Sequence, residues 1–344
     1  MLLDWYDANR RDLPWRARPG ESKSPYEVWL SEIMLQQTTV ATVKDYYRAF
    51  LKLWPKVEDL AEASLDEVLH AWQGLGYYAR ARNLHKCAQV VANDFEGTFP
   101  DSEKDLRALP GIGDYTAAAI MALVHQQKTT PVDGNIERVV SRLFRIETPL
   151  PQGKKDIRAQ AIKLTPDVRP GDYAQAMMDL GASLCSPKKP VCPLCPLNDQ
   201  CKAFKKGDSE TFPRRKAKPP KPTRQAVIYW IQRPNGAVLL RKRPPKGLLG
   251  GMMEFPSTDW SDMPIDLKSA KRTAPASAIW KELPGQVRHT FTHFHLELTI
   301  VAGKTRGTPA IDGIWCPPSD LSTLALPTLM KKVARHAMKN YRQG

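Results

Sequence analysis

Residues 109–138 contain two linked elements: Leu109-Pro-Gly-Ile-Gly-Asp-Tyr-Thr-Ala-Ala-Ala-Ile120, then, after a short apolar run, Pro131-Val-Asp-Gly-Asn-Ile-Glu-Arg138. A Pro-Gly-x-Gly turn that opens a helix aims several backbone N–H groups at one spot, and the helix dipole favours an anion there. Gly111 and Gly113 let a phosphate come close to the backbone. Further on, Asp133 precedes Gly134-Asn135 at a second helix start. It can act there as an N-cap worth about 1 kcal/mol. It can also be a carboxylate held ionised by helix N–H groups and facing a cationic transition state. A phosphate site followed by such an acid points to chemistry on a nucleic acid.

The bulk composition agrees. The 344 residues carry a net charge of +15, with a pI near 9.5. Lys and Arg release counterions from a phosphate backbone, so this balance favours a polyanionic partner. The length suggests about two or three domains, and 42% hydrophobic residues suffice for a sizeable core. No apolar run is long enough for a membrane helix. The start, Met1-Leu-Leu-Asp-Trp-Tyr-Asp, has neither a basic nor an apolar leader region. A soluble, cytoplasmic bacterial protein is expected, nucleoid-associated through DNA and acting as a monomer.

Residues 1–207 read as helical. Ser24-Pro25-Tyr26-Glu27 is a capping box with Pro at the first helical position, predicting a helix that runs to about Thr38. Further helices are expected over 41–53, 64–72, 79–93, 102–108, 114–126, 135–145, 154–164 and 171–184, separated by Gly and Pro turn signals. The turn between the helices of 102–126 is the Gly-rich hairpin. Residues 208–224 form a basic linker; within it, 213–224 hold six basic residues, four prolines and no acid, and are expected to be extended and unpacked. Residues 225–344 change to an α+β pattern. Ala226–Ile231 and Ala237–Leu240 flank the hairpin signal Pro234-Asn235-Gly236. Phe294, Leu296, Leu298 and Ile300 alternate with polar residues as a half-buried strand, and 326–341 read as an amphipathic helix.

Glu32 is the acid of an otherwise apolar and amide-rich segment, Trp29-Leu-Ser-Glu-Ile-Met-Leu-Gln-Gln-Thr38. A Glu in apolar surroundings has a raised pKa, which suits a general acid. Two carboxylates in different environments are the usual division of labour for breaking a glycosidic bond. Four cysteines, Cys185, Cys192, Cys195 and Cys201, are clustered as metal ligands are. Their spacing alone admits zinc or an iron–sulfur cluster. Cys87 and Cys316 read as unpaired packing residues.

The hairpin resembles the helix–hairpin–helix of DNA glycosylases. With Ser31–Thr38, Gly74–Asn83, Pro131–Asn135 and the four cysteines, the whole chain resembles the MutY-type adenine DNA glycosylases. That resemblance implies an all-α glycosylase domain with an iron–sulfur module at 185–201 and a Nudix-like C-terminal domain. It implies release of adenine mispaired with 8-oxoguanine or guanine in double-stranded DNA. Glu32 would protonate the leaving adenine and Asp133 would stabilise the oxocarbenium ion. Asn135 would hydrogen-bond within the site, and Tyr115 would stand beside the sugar. The four cysteines would hold a 4Fe–4S cluster, and Lys188 and Lys189 would touch phosphate. Gln36, Gln37 and Tyr77 are the candidates to fill the gap left by the flipped base, and Arg80 and Arg82 fit phosphate contact. Phe291-Thr292-His293 stands where the family has Phe-Ser-His and would read 8-oxoguanine.

Bifunctional relatives place a Lys in the hairpin segment to form a Schiff base with the sugar. No Lys lies between Lys104 and Lys128, so base removal without an efficient lyase step is expected. Gly250-Gly-Met-Met-Glu-Phe-Pro256 resembles the start of a Nudix box, but the paired acids that would hold Mg2+ are absent. Recognition, not hydrolysis, is therefore expected of the C-terminal domain. Competing readings are a glycosylase for thymine or another mismatched base, a Nudix hydrolase, and a non-catalytic DNA-binding iron–sulfur protein.

Overall fold

In the computed structural model, Ser24 Oγ accepts the Glu27 amide at 3.2 Å and Glu27 accepts the Ser24 amide at 3.1 Å. This is the reciprocal cap that the sequence predicts. The structure describes residues 1–18, 21–217, 219–307, 309–310 and 312–341. Its helices are α1 (Leu2–Asn9), α2 (Pro25–Leu35), α3 (Val40–Leu53), α4 (Val57–Glu62), α5 (Leu65–Ala71), α6 (Ala79–Asp94) and α7 (Glu103–Ala108). They continue as α8 (Asp114–Leu123), α9 (Gly134–Phe144), α10 (Lys154–Leu164), α11 (Pro170–Ala182), α12 (Lys202–Lys205), α13 (Leu267–Arg272) and α14 (Thr328–Asn340). α1, α4, α12 and α13 were not expected. α2 ends at Leu35 rather than near Thr38, because Gln37 turns into the left-handed region at φ 59°.

Two compact units emerge: Met1–Ala63 with Asn83–Lys218, and Ser64–Arg82 with Pro219–Gly344. The units differ from the expected division at 207/208, because residues 64–82 bond to the C-terminal half. Gln73 Nε2 donates to the Leu324 carbonyl at 2.6 Å, Arg82 to the Gly250 carbonyl at 2.5 Å, and Lys242 pairs with Asp66 at 2.6 Å. The start of the expected free linker is also tied down. Leu150 N–H donates to Arg214 O at 2.8 Å, and the Arg214 guanidinium lies 4.4 Å from the Phe212 ring centre.

In the first unit α2 is buried from Tyr26 to Met34, except for Glu27. A helix apolar on every side is buried on every side, which is why Glu32 has no polar face to occupy. Leu2, Tyr6, Ile136, Val140, Met177 and Leu180 form a core that joins α1, α9 and α11. Within it Asp179 is 1% exposed and takes two 2.6 Å bonds from Arg16 and one of 2.6 Å from Arg11 Nε. No helix among the described residues is long and apolar enough to cross a membrane.

In the second unit six strands form one mixed sheet: β1 (Thr223–Gln232), β2 (Val238–Lys242), β3 (Met253–Glu254), β4 (Lys281–Thr290), β5 (His295–Lys304) and β6 (Ile314–Cys316). The path runs β3-β2-β1-β5-β4, with β6 on β2. The expected hairpin at Pro234–Gly236 joins β1 to β2, closed by Arg233 N–H to Ala237 O at 2.9 Å. β1 and β5 pair in parallel from Thr223↔His295 to Gln232↔Lys304. Ala226, Ile228 and Trp230 face one core with α14; Val227, Tyr229 and Ile231 face a second with α13. Burial on both faces explains why this strand reads as a continuous apolar run.

Burial pushes the Asp179 carboxyl up, but the hydrogen bonds and charge of Arg16 and Arg11 outweigh it and hold the group below the usual range. Its stabilisation is thus present above the unfolded-state pKa and is lost as pH falls towards the folded one. Asp179→Asn leaves Arg16 buried without its charge partner and should cost roughly 3 kcal/mol. Urea unfolding near neutral pH checks this; a loss under about 0.5 kcal/mol would refute a stabilising pair.

Candidate active site

α2, the first turn of α8 and the N-cap of α9 bring three of the expected residues together. Glu32, Tyr115 and Asp133 line one cavity of about 430 Å3, with Asn135, Gln36 and Gln37 also on its wall. Glu32 is 6% exposed. Burial pushes its carboxyl up to about 7, against a hydrogen bond from Tyr115 that pulls the other way; the nearby Asp133 charge adds to the rise. Burial also lifts the Tyr115 phenol well above its ordinary value, with the Glu32 and Asp133 charges adding to it.

Asp133 is the N-cap of α9: Oδ1 accepts the Ile136 amide at 2.7 Å and Oδ2 accepts Asn135 Nδ2 at 2.8 Å. The helix N–H bonds are as expected, but their net effect is not. Burial is larger than those bonds, so the Asp133 carboxyl lies above the usual range, not below it. Asn135 is itself fixed. Arg138 donates to its Oδ1 at 2.9 Å, and to the Gly181 and Cys185 carbonyls at 2.5 and 2.7 Å. A Cβ on Gly181 would fall 2.6 Å from Asn135 Cβ, so only glycine lets α11 approach α9 this closely.

The hairpin connects α7 to α8. Gly111 has φ 78°, and a Cβ there would meet Asn83 Cβ at 2.8 Å. Gly113 caps α8 with extended backbone, and nothing lies within 4 Å of where its Cβ would be. Neither packing nor φ demands glycine at 113; open space before the helix N-terminus is what a side chain would fill.

The four cysteines stand within electrostatic reach of one another. Burial pushes the Cys195 thiol up to about 11, and the charges of Cys185, Cys201 and Cys192 push the same way. Arg142, buried on α9, donates to Cys185 Sγ at 3.2 Å and to the carbonyls of Ser186 and Pro187 at 2.8 and 3.1 Å. Among the described residues no group of three or more His, Cys, Asp or Glu could hold a single metal ion. Four thiols with a cationic neighbour are a donor set that fits an iron–sulfur cluster, which takes four thiolates. Cys87 and Cys316 are buried and unpaired, as expected.

Comparison with known proteins places this geometry. Residues 30–167 match the HhH-GPD superfamily of base excision DNA repair proteins, and residues 227–336 match the NUDIX domain. The chain is similar to the adenine DNA glycosylase of Homo sapiens at 35% identity, over 97% of this chain and 72% of that one. It is similar to that of Buchnera aphidicola (Schizaphis graminum) at 32%, over 97% and 96%. The chain belongs to the adenine DNA glycosylase family. A thermostable thymine-DNA glycosylase is similar over 60% of this chain and 94% of its own, at 33% identity and a TM-score of 0.55. A trapped endonuclease III–DNA covalent intermediate shares the fold over 60% and 93%, at 22% and 0.51.

Of the remaining sites that the adenine glycosylase resemblance suggested, Gln37 is on the cavity wall, whereas Tyr77, Arg80, Lys188, Lys189 and Phe291–His293 are not among its lining residues. Gln37, Tyr77 and Lys189 are exposed and are three of the eight non-glycine residues with positive φ among those described, at 59°, 48° and 48°. Such backbone costs of order 1–3 kcal/mol and persists where the surroundings impose it. Lys188 is exposed beside Lys189. Arg80 differs from expectation. Its guanidinium donates to the Leu75 carbonyl at 3.0 Å and lies 5.2 and 5.7 Å from the Trp72 and Tyr77 ring centres. It braces the Tyr77 turn, and burial lowers its pKa to about 10. Arg82 is likewise held by Gly250. Phe291–His293 form the β4–β5 turn with Thr292 and His293 exposed, and Thr292 Oγ1 meets Tyr77 OH at 2.8 Å.

Sequence reasoning missed Trp15, Arg16, Gln175 and Met178 on the cavity wall. Arg16 is held there by Asp179, an acid in an apolar helix and thus the same signal that marks Glu32.

The Tyr115 hydrogen bond stabilises ionised Glu32, so Tyr115→Phe should move the Glu32 midpoint above its value of about 7. Carbon-detected NMR titration of the Glu carboxyls reads this; an unchanged or lower midpoint would show that Tyr115 does not donate to Glu32.

Proposed function

We propose that this chain hydrolyses the N-glycosidic bond of adenine mispaired with 8-oxoguanine or guanine in duplex DNA, as a monomer and without an efficient lyase step. The observation that supports it most is Glu32, a carboxyl raised to about 7 in the same cavity as Asp133. Adenine must leave the stack to reach such a site. At neutral pH a substantial fraction of Glu32 is protonated and donates to the departing base. Positive charge then develops on the sugar, where ionised Asp133 offsets it. Asn135 holds Asp133 Oδ2 in place, and Tyr115 stands beside the sugar while bonded to Glu32. No amine is available in residues 105–127 for a Schiff base.

The DNA contacts follow the same reading. Backbone N–H groups at Gly111 and Gly113 and the exposed Lys188 and Lys189 hold phosphates, while Gln36, Gln37 and Tyr77 occupy the space left by the base. Cys185, Cys192, Cys195 and Cys201 would hold a 4Fe–4S cluster, which when bound would pin the 185–201 segment without contributing a group to the glycosidic bond. Phe291, Thr292 and His293 read 8-oxoguanine. The Nudix-like unit acts in recognition, since α13 reads Leu-Lys-Ser-Ala-Lys-Arg and offers no carboxylate for Mg2+.

Single-turnover base release tests this on duplexes carrying A opposite 8-oxoguanine, A opposite G, and T opposite G. Adenine release without thymine release is expected; the reverse would move the chain to thymine. Glu32→Gln should slow release by about 10²–10⁴-fold; a change under threefold would remove Glu32 from its role. The rate should fall above about pH 7 as Glu32 loses its proton, and fall at acid pH as Asp133 gains one. A rate still rising beyond pH 8 would exclude Glu32 as the acid. Borohydride should trap little covalent complex; efficient trapping would overturn the monofunctional reading.

A further inference from the structure

The Thr292-His293 tip is not held in place by its strands. The β4–β5 ladder ends at Thr290↔His295, and the turn is closed by one bond, Phe291 N–H to Phe294 O at 2.9 Å, with Lys221 Nζ on the Phe291 carbonyl at 2.9 Å. Beyond the Thr292–Tyr77 hydrogen bond of 2.8 Å, what fixes the tip sideways is the Phe291 ring. It stacks on Trp260 at 5.6 Å and 29°, packs on Phe294 at 4.9 Å, and takes the His289 ring edge-on at 4.7 Å. Trp260 Nε1 and His289 Nδ1 are buried with no hydrogen-bond partner among the described residues, so ring packing, and not these two atoms, seats the two side chains.

Trp260 in turn rests on a charged base. Its neighbour Ser261 exchanges backbone bonds of 2.8 and 3.0 Å with Gln225 of β1. The Arg243 guanidinium lies 5.1 Å from the Trp260 ring centre. Arg243 is set by its Nε bond to the Leu248 carbonyl at 3.1 Å and by an ion pair with Glu254, which is 1% exposed and also takes Arg241 Nε at 2.8 Å. A buried carboxylate thus orients a cation, the cation orients an indole, and the indole orients the first residue of the turn.

We propose that Trp260 and Arg243 are positioning residues for the Thr292-His293 tip, setting its preference for the base opposite adenine. This rests on the reading that the tip contacts 8-oxoguanine. Hydrogen-bonding groups discriminate only when held within about 0.5 Å of their productive positions. A hydrogen bond is worth about 1 kcal/mol net, so its loss on one duplex and not the other changes preference by roughly fivefold to tenfold. A stack that merely filled the core would affect folding and both duplexes alike.

The experiment uses the full chain. Kd and the saturating single-turnover rate are measured for A opposite 8-oxoguanine and A opposite G, with Trp260→Ala, Trp260→Phe and Arg243→Gln. A Thr292→Ala/His293→Ala double variant reports on the tip itself. Trp260→Ala should reduce the Kd preference for the 8-oxoguanine duplex by roughly fivefold to tenfold, with the saturating rate within about twofold. Trp260→Phe, which keeps a ring, should restore most of the preference, and Arg243→Gln should fall between. If the tip variant loses preference while Trp260→Ala and Arg243→Gln keep it, the positioning role is overturned and the lesion reading stands. If the tip variant keeps its preference, the lesion reading itself fails. Equal weakening on both duplexes in Trp260→Ala, without rescue by Trp260→Phe, would reduce the stack to packing. Should Trp260→Ala unfold, Trp260→Phe and Arg243→Gln still decide, because unchanged preference in Arg243→Gln refutes the chain of contacts.

Discussion

Two carboxyl groups share one poorly solvated cavity, and the chemistry of this protein depends on how that burial is divided between them. Glu32 rides a helix with no polar side, and burial, with the Asp133 charge adding to it, carries the carboxyl to about 7 against the Tyr115 hydrogen bond. Asp133 is also raised by burial, but it receives an amide N–H and an asparagine N–H that Glu32 lacks. Hydrogen bonds to the charged form favour ionisation. On Asp133 these bonds work against the burial that raises it, and on Glu32 the Tyr115 hydrogen bond does the same. The proposed roles of proton donor and anion would then be set by local structure, without any exotic residue.

Keeping Asp133 in that state requires its donors to stay put, and here the first unit is tightly cross-braced. Asn135 is held by Arg138, and Arg138 is held by carbonyls of Gly181 and Cys185. Arg142, one turn further along α9, reaches the Cys185 sulfur. A single helix therefore carries Asp133 at its N-terminus and grips the cysteine segment along its side. Gly181 makes the approach possible, because any larger residue would displace Asn135. The cysteine segment is thus linked to Asp133 through a continuous chain of hydrogen bonds.

Much of this was legible because local rules determine it. The capping box placed the start of α2, the Pro-Gly-x-Gly turn placed α8, and Asn235-Gly236 placed the β1–β2 hairpin. Glu32 stood out because charge in an apolar helix demands a reason. The same argument applies to Asp179 amid Met177, Met178 and Leu180, yet its reason lies 163 residues away at Arg16, beyond any local pattern. Net electrostatic balance was illegible for a related cause. Sequence shows that Asp133 caps a helix but not how deeply it is buried, and burial outweighs the cap. Arg80 shows the same limit, since a basic residue near a Gly-rich turn reads as a phosphate ligand until Leu75, Trp72 and Tyr77 are seen to occupy it.

The division into units sharpens what the Nudix-like half contributes. Tyr77 belongs with that half, and its hydroxyl shares a 2.8 Å hydrogen bond with Thr292. The residue expected to fill the gap in the duplex and the turn expected to read the opposite base are thus parts of one body. Arg80 braces Tyr77 from one side, while Trp260 and Phe291 seat the turn from the other. A strained backbone at Tyr77 is tolerable under such bracing, because the neighbouring contacts outweigh about 1–3 kcal/mol of unfavourable φ. Tyr77 and the turn are then coupled by construction, since neither side chain can shift far without disturbing the hydroxyl pair that joins them.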